Sequence, residues 1–286
     1  MTHRVDAHHH FWDTTSGRFD YYWMSDEFAA IKGLRGPEQL RPLIDEKGID
    51  RTIVVQTIPS TEETGDFLAT AEATDFVAGV VGWVDLTDPA VGDTIAALQA
   101  RPDGQWLKSI RHQVHDEEDA EWLLRPEVQR GLAAVKAAGL AYDILVRSRE
   151  LPAALQTVRA HPDTRFIVDH IAKPDIKAGE LEPWASRMRP LADVPNICIK
   201  VSGMITEADW DTWTPPDLEP YVHRLLEWFG PQRLMFGSDW PVCTVAGTYG
   251  DVYDAAVQAL GDLSDEDRSW IFGRTATEAY RLDDGA

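Results

Sequence analysis

The chain alternates short apolar, β-branched runs with longer stretches in which apolar residues recur every three or four positions. The apolar runs predict eight strands, at Arg4–His8, Thr52–Gln56, Val77–Val84, Trp106–Arg111, Leu140–Val146, Arg165–Asp169, Asn196–Val201 and Arg233–Gly237. The amphipathic stretches predict helices between them, at Pro37–Lys47, Glu63–Ala73, Pro89–Ala100, Arg125–Ala138, Leu151–Ala160 and Glu219–Phe229. Eight strand–helix units predict an α/β protein with a single domain over residues 1–286, a (β/α)8 TIM barrel.

The connection after the first predicted strand separates two fold hypotheses. A doubly wound open sheet, the alternative to the barrel, has a glycine-rich phosphate loop at this point. This chain has Phe11-Trp12-Asp13 there, within a long aromatic connection at about residues 11–36. Loops of this length often cover a binding site, so we expect a lid over the barrel mouth. A simple hydrophobic cover is the competing interpretation.

Composition and charge narrow the classes of partner. The chain has 286 residues, of which 44% are hydrophobic, so it can bury a sizeable core. Its formal net charge of -21 argues against nucleic acid and anionic membranes as partners and favours a neutral small molecule. The sequence shows no long apolar span and no signal-like segment, which predicts a cytoplasmic protein. Cys198 and Cys243 have no metal-finger spacing and are expected to be free thiols.

Polar and titratable residues gather where the predicted strands end. They are His8-His9-His10, Gln56, Trp83-Val84-Asp85, Arg111-His112, Asp143, Asp169-His170, Lys200-Val201-Ser202 and Gly237-Ser238-Asp239-Trp240-Pro241. In a barrel the carboxyl ends of all strands meet on one face, which is where the chemistry lies. Polar anchoring alone would place such groups at both ends of the barrel, so the asymmetry predicts a functional site.

The histidine run can be divided by strand geometry. Side chains alternate across a strand, so His8 and His10 share one face while His9 points the other way. If His8 and His10 face the barrel axis, they form a pair able to bind one divalent ion. His170 and Asp239 are the candidates to complete a site with an open position. One histidine alone is more often a core residue, and the combination is what favours a site.

Motifs along nearly the whole chain carry a family resemblance. They are Asp6-Ala7-His8-His9-His10-Phe11-Trp12, Gly82-Trp83-Val84-Asp85-Leu86, Ile110-Arg111-His112, Leu123-Leu124-Arg125-Pro126, Val168-Asp169-His170 with Lys173-Pro174, Lys200-Val201-Ser202-Gly203, and Met235-Phe236-Gly237-Ser238-Asp239-Trp240-Pro241-Val242-Cys243. With these motifs the chain resembles the amidohydrolase superfamily. Within it the chain is most similar to the branch of sugar-lactone hydrolases typified by L-fuconolactonase and L-rhamnonolactonase, known as amidohydrolase-related family 2.

The resemblance implies a metal site and a shell of substrate-binding residues. The implied metal ligands are His8, His10, His170 and Asp239. The implied substrate shell is drawn from Gln56, Trp83, Arg111, His112, Asp143 and Trp240. Trp23, in the aromatic connection, is expected to pack against the C–H face of a sugar ring. The implied cofactor is one divalent metal ion, most simply Zn, and activity without metal stays open because the need for a metal varies within the branch.

The chain departs from the branch pattern at two positions and from the wider superfamily at a third. His9 stands where the branch often has Gln, and Met204 stands where Leu is usual. Both are mild changes. Many binuclear members of the superfamily have a carboxylated lysine at a strand end. Lys108 lies inside the fourth predicted strand, so it is not assigned that role and a mononuclear site is expected.

The implied reaction is hydrolysis of a sugar lactone, such as L-fuconolactone or L-rhamnonolactone, to the hydroxy acid. Asp239 is the candidate general base and then general acid. Arg111 and His112 are candidates to stabilise the oxyanion. Two competing interpretations stay open at this stage. Asp239 could be a helix N-cap, and Arg111 could form a structural ion pair near the acidic stretch 116–121.

Three other functions remain as alternatives. They are a metal-dependent decarboxylase of the same superfamily, a lactone isomerase that uses a substrate hydroxyl instead of water, and a non-catalytic sugar-binding barrel. The expected partner is the small-molecule lactone alone, with no nucleic acid and no membrane, and assembly into a homodimer stays open. His115, His161, His223 and Cys243 are expected to be structural.

Overall fold

Eight strands follow one another in chain order around a parallel sheet in the computed structural model, which describes residues 3–282. They are β1 (Val5–His9), β2 (Arg51–Val55), β3 (Val77–Gly82), β4 (Leu107–Gln113), β5 (Ala141–Leu145), β6 (Phe166–Val168), β7 (Ile197–Val201) and β8 (Leu234–Phe236). Each strand pairs in parallel with the next. The predicted TIM barrel is confirmed over this range. The predicted domain of 1–286 extends at both ends to residues outside those described.

The barrel closes between the end of β1 and the segment that follows β8. The backbone N–H of His10 donates to the carbonyl oxygen of Trp240 at 2.7 Å, and that of Asp239 donates to the carbonyl oxygen of His8 at 2.8 Å. These hydrogen bonds join β1 to the segment after β8. Four of the predicted site residues, His8, His10, Asp239 and Trp240, are therefore held in place by the closure of the barrel itself.

Helices surround the sheet and follow the predicted pattern. They are α1 (Pro37–Lys47), α2 (Thr61–Ala73), α3 (Val91–Gln99), α4 (Pro126–Ala137), α5 (Leu151–Ala160), α6 (Trp184–Met188), α7 (Pro215–Phe229), α8 (Tyr249–Leu260), α9 (Asp265–Ser269) and α10 (Thr275–Tyr280). α1 and α5 have the predicted bounds. α7 begins four residues earlier than predicted because Thr214 caps it with Asp217, and a proline in the first turn suits a helix.

The amino-terminal end of the barrel is sealed by apolar side chains. Ala276, Ala279 and Tyr280 of α10 share a buried cluster with inward-facing strand residues such as Ile53 and Met235. A plug of this kind leaves the carboxyl ends of the strands as the open face. The site residues therefore lie at the end of the barrel where the sequence predicts them.

The connection after β1 is a small folded unit. Trp12–Asp13 pairs antiparallel with Leu34–Arg35, and a 3-10 helix spans Asp26–Ile31. The indole N–H of Trp12 donates to the carbonyl oxygen of Ile31 at 3.0 Å. The side chain of Met24 is buried against these two residues. The aromatic connection at about 11–36 is thus held by its own core.

A β-bulge sets which histidines face the barrel axis. Asp6 of β1 pairs with Thr52 of β2, but His9 pairs with Val54, so β1 has one extra residue. Val5 and Ala7 face the inner core, and strict alternation from Ala7 would also turn His9 inward. The bulge reverses the phase, so that His9 contacts Thr52 on the outer side at 2.8 Å.

In the part of the chain that the structure describes, no helix is long and apolar enough to cross a membrane.

Candidate active site

A cavity of about 350 Å³ opens among the carboxyl ends of the strands, within the usual range of small-molecule sites. Its floor is formed by His10, Arg111, His170 and Asp239. Its side walls include the aromatic residues Trp23, Phe28 and Trp210 and the charged residues Asp116, Arg147, Lys173 and Glu207. The aromatic connection contributes two of these residues, so the predicted cover over the barrel mouth also forms part of the cavity wall.

Three imidazoles surround the carboxylate of Asp239. Oδ1 of Asp239 lies 3.3 Å from Nε2 of His10, 3.8 Å from Nε2 of His8 and 3.8 Å from Nε2 of His170. The two Nε2 atoms of His8 and His10 are 3.2 Å apart. The four residues that the resemblance implies as metal ligands are therefore brought together, although their roles stay a prediction.

The protonation of these groups suits metal binding. Nδ1 of His10 contacts the carbonyl oxygen of Val55 at 2.7 Å, so Nδ1 carries a proton and Nε2 is the nitrogen that faces Asp239. Burial lowers the pKa of His170 to about 4 and lowers that of His8 as well. Burial alone would raise the pKa of Asp239, but His170, His10 and Lys173 together lower it. At neutral pH His8 and His170 are therefore neutral imidazoles and Asp239 is an ionised carboxylate.

The spacing of these atoms fits a metal ion. Ligand atoms about 2.0–2.2 Å from a tetrahedral zinc ion lie about 3.3–3.6 Å from one another. The separations of 3.2–3.8 Å around Asp239 come close to this range. Among the residues that the structure describes, His8, His170 and Asp239 form a group of potential ligands whose donor atoms all lie within 4.8 Å of one another. This site can hold a metal ion, with His10 beside it.

Strained backbone positions two of these residues. His170 and Asp239 have φ of 51° and 57°, in the left-handed region that non-glycine residues seldom adopt. Two glycines leave room for the imidazoles. A Cβ at Gly203 would lie 2.5 Å from Nδ1 of His170, and a Cβ at Gly237 would lie 2.7 Å from the Cβ of His8. The local fold is thus built around the positions of these rings.

Arg111 is anchored beneath the cavity rather than by the acidic stretch 116–121. Its Nη1 donates to Oδ2 of Asp169 at 2.9 Å, and its Nη2 donates to the carbonyl oxygen of Gln56 at 2.5 Å and to Oε1 of Gln56 at 3.0 Å. Nη1 also lies 3.3 Å from Nε2 of His8. The guanidinium and a metal ion would compete for the one lone pair of that nitrogen. Gln56 supports Arg111 and is not among the residues of the cavity wall.

His112 is not among the residues that line the cavity, whereas Arg111 lies on the cavity floor. Neighbouring side chains of a strand point to opposite faces, and Arg111 points inward. The ring of His112 stacks on Trp122 with centroids 4.2 Å apart, and its Nε2 contacts Glu117 at 2.8 Å. The indole N–H of Trp83 donates to Nδ1 of His112 at 3.1 Å. The structure therefore groups Trp83 with His112 outside the cavity wall, and their predicted roles are not supported by a contact with the cavity.

Asp143 and Trp240 also lie off the cavity wall, for different reasons. Asp143 is fully buried inside the barrel, where its oxygens accept hydrogen bonds from Ser109, Lys200 and Tyr280. The ring of Trp240 is buried and lies nearly perpendicular to the ring of Phe11, with centroids 6.4 Å apart. Of the predicted substrate-binding residues, the structure places Trp23 on the cavity wall and Arg111 on the cavity floor.

The structure adds residues that sequence reasoning did not assign. Lys200 is fully buried, and its Nζ contacts Asp143 at 2.6 Å, Asp169 at 2.9 Å and Nδ1 of His8 at 3.2 Å. Its position at a strand end was the available signal. His115, expected to be structural, lines the cavity, and burial lowers its pKa to about 3. Arg147 directly follows the predicted strand Leu140–Val146, which is the signal available for it, whereas Glu207 comes from a loop whose sequence carries no such signal.

The geometry of a barrel with this floor defines an amidohydrolase-type site, and comparison with known proteins agrees. The family model described as amidohydrolase matches residues 5–282, so the chain belongs to this family. The L-fucono-1,5-lactonase of Burkholderia ambifaria is 41% identical, over 99% of this chain and 97% of that protein. The L-fucono-1,5-lactonase of Burkholderia multivorans is 33% identical over the same shares of both chains. A crystal structure of a Burkholderia multivorans amidohydrolase with bound Zn superimposes with a TM-score of 0.91, at 33% identity, covering 98% of this chain and 99% of that chain.

Proposed function

We propose that the protein is a lactonase that opens L-fucono-1,5-lactone, or a closely similar sugar lactone, to the hydroxy acid. The observation that carries this proposal is the ionised Asp239 among three imidazoles on the floor of a small cavity. The similarity to two L-fucono-1,5-lactonases over nearly the whole chain supports the choice of substrate. We place the enzyme in the cytoplasm and in carbohydrate metabolism, and its assembly as a homodimer stays a prediction.

The cavity suggests how the lactone is held. An aromatic wall of Trp23, Phe28 and Trp210 can cover the C–H face of a sugar ring, since aromatic faces pack well on such surfaces. Phe28 and Trp210 lie 5.8 Å apart between ring centroids, so the wall is continuous. The polar floor opposite offers donors and acceptors to the ring carbonyl and hydroxyl groups.

The reaction needs one water, one proton acceptor and a stabilised oxyanion. Asp239 accepts a proton from water as the water oxygen attacks the lactone carbonyl carbon. Arg111, on the cavity floor, is the cationic side chain placed to stabilise the negative oxygen of the tetrahedral intermediate. When the bond to the ring oxygen breaks, Asp239 returns the proton to that oxygen as it becomes a hydroxyl group. The product is the hydroxy acid, whose carboxyl group then ionises and releases a proton to solution.

We propose zinc as the metal. His8, His10, His170 and Asp239 would hold it, and a bound zinc ion lowers the pKa of water and polarises a carbonyl group. The zinc-containing relative supports this assignment. Because Arg111 lines the cavity and can stabilise the oxyanion by itself, part of the catalysis is expected to survive without metal.

A pH-stat assay tests the function. The purified protein is expected to release acid from L-fucono-1,5-lactone faster than spontaneous hydrolysis does. Asp239→Asn should lower kcat by about 100-fold or more, because general acid–base catalysis typically contributes that much. Asp209→Asn, in a surface carboxylate paired with Lys177, is the matched control and should keep wild-type activity. Full activity of Asp239→Asn would show that the base is misassigned.

Two further arms of the assay separate the remaining alternatives. NMR of the product distinguishes ring opening from isomerisation to another lactone, which releases no acid. Chelator-treated protein should lose activity that zinc restores, and activity that chelation leaves unchanged would contradict the zinc assignment. If the protein hydrolysed none of the sugar lactones, that result would contradict the proposed function itself.

A further inference from the structure

Three charged side chains form a cluster on the side wall of the cavity, outside the group of imidazoles. Nη1 of Arg147 donates to Oε2 of Glu207 at 3.0 Å, and Nζ of Lys173 donates to Oε1 of the same carboxylate. The side chains of Glu207 and Lys173 are 13% and 15% exposed, and that of Arg147 is 51% exposed. The carboxylate of Glu207 is therefore paired with two cationic groups that face the cavity, those of Arg147 and Lys173.

The same segments that position His170 position this cluster. Lys173 ends the left-handed stretch that begins at His170, with φ of 46°. Glu207 follows Gly203, against which the ring of His170 packs. The cluster is thus held at a fixed position relative to the floor of the cavity. Such a fixed position is required if the cluster is to bind or repel the end of a substrate whose lactone group lies on the floor.

A second cavity lies on the other side of the cluster. Arg147, Lys173 and Glu207 also line this neighbouring cavity of about 420 Å³. The three side chains therefore separate two open spaces and are not enclosed by apolar core. A ligand group can reach them, which would not be the case for a purely structural ion pair inside the barrel.

The charges of the first cavity balance. Its lining contains three cations and three carboxylates, namely Arg111, Arg147, Lys173, Asp116, Glu207 and Asp239. Burial alone would raise the pKa of Glu207, but Lys173 and Arg147 outweigh it and lower that pKa, so Glu207 is ionised at neutral pH. A balanced lining suits a neutral ligand. Without the charge of Glu207, two cations would be free to bind an anionic group.

We propose that Glu207 determines substrate specificity by excluding lactones that carry a free carboxylate. Its carboxylate occupies Arg147 and Lys173, repels an incoming carboxylate and accepts hydrogen bonds from the hydroxyl groups of a neutral sugar lactone. The enzyme thus selects lactones of aldonic acids over lactones of aldaric acids. This inference rests on the proposed lactonase function.

Glu207→Gln tests the proposal, because the amide has nearly the shape of the carboxylate without its charge. The readout is the ratio of kcat/KM for a galactaric acid lactone to kcat/KM for L-fucono-1,5-lactone. This ratio should rise by about tenfold, mainly through KM for the charged substrate. Asp209→Asn removes a lysine-paired carboxylate two residues away and should leave the ratio unchanged.

A second variant keeps the test decisive if Glu207→Gln folds poorly. Lys173→Met leaves the charge of Glu207 less compensated, so the ratio should fall rather than rise. An unchanged ratio in both variants, or an equal loss for both substrates, would overturn the proposal. A wild-type protein inactive on both lactones would instead contradict the proposed function, so the two failures are distinguishable.

Discussion

Two charged clusters, each built around lysine and carboxylate groups, lie within one barrel and differ in burial. Beneath the cavity, Lys200 is fully buried between Asp143 and Asp169, at 2.6 and 2.9 Å. On the cavity wall, Glu207 joins Lys173 and Arg147 at the edge of solvent. The first cluster has no route to a ligand and supports His8 and Arg111 from below. The second can exchange its partners for those of a substrate. Burial therefore separates a cluster that positions groups from one that selects substrates.

The largest expected effect breaks the buried cluster. Lys200→Met leaves two fully buried carboxylates without their shared cation, and removing one partner of a buried ion pair costs about 3–5 kcal/mol. Chemical denaturation should show this decrease in the free energy of unfolding. Lys136→Met is the control, since Lys136 forms an equally short but exposed pair with Asp163 at 2.7 Å, and its loss should cost at most about 1 kcal/mol. Equal losses in the two variants would contradict the comparison.

A third carboxylate extends the comparison, because burial shifts its pKa in the other direction. Glu63 accepts hydrogen bonds from the backbone N–H groups of Thr57 and Ile58 at 2.8 and 3.2 Å and from the Thr57 hydroxyl. Burial raises the pKa of Glu63 to about 7, despite these hydrogen bonds and the charge of Arg111. For Glu63, burial thus outweighs the groups that favour the ionised form. For Asp169, by contrast, the nearby cation Lys200 outweighs burial, and the pKa of the carboxyl group is lowered.

The stability of the protein should depend on pH through Glu63. Its folded pKa lies above its unfolded value of 4.5, so the folded state binds the proton more tightly. The resulting stability is present below about pH 4.5 and is lost as the pH rises through about 7. Glu63→Gln removes this dependence, so the difference in unfolding free energy between wild type and variant should change by about 2 kcal/mol from pH 5 to 8. Glu62→Gln, on the exposed face of the same helix, should show no such change.

How much of this arrangement is predictable from sequence differs between the two clusters. Strand patterning and residue type predict the barrel and bring His8, His10, His170 and Asp239 to one end, because the carboxyl ends of the strands converge. Lys200 belongs to the same logic, as it also stands at a strand end. Glu207 and Arg147 lie on different loops, 60 residues apart, and loop paths follow from tertiary packing.

Two details of the floor show where pattern reasoning needs the pairing register. The facing of His8 and His10 depends on the bulge between Asp6 and His9, which is a property of the β1–β2 pair. Arg111 and His112 are neighbours on β4, so alternation predicts that one of them leaves the cavity. The same alternation rule separates His9 from His8 and His10 in the histidine run. Applied to β4, it predicts that His112 and Arg111 point to opposite faces of the strand.

The smallest expected effect concerns the stability of the cavity-wall cluster. Glu207→Gln removes one charge from side chains that water and substrate can reach, and partner groups there can be solvated. Because Glu207 and Lys173 are only 13% and 15% exposed, the free energy of unfolding should fall by about 1 kcal/mol, which is still well below the loss in Lys200→Met. Thermal and denaturant unfolding of both variants in one buffer provide the measurement. A loss of several kcal/mol in Glu207→Gln would show that this cluster also holds the fold, and a change in its substrate preference would then no longer separate selection from structure.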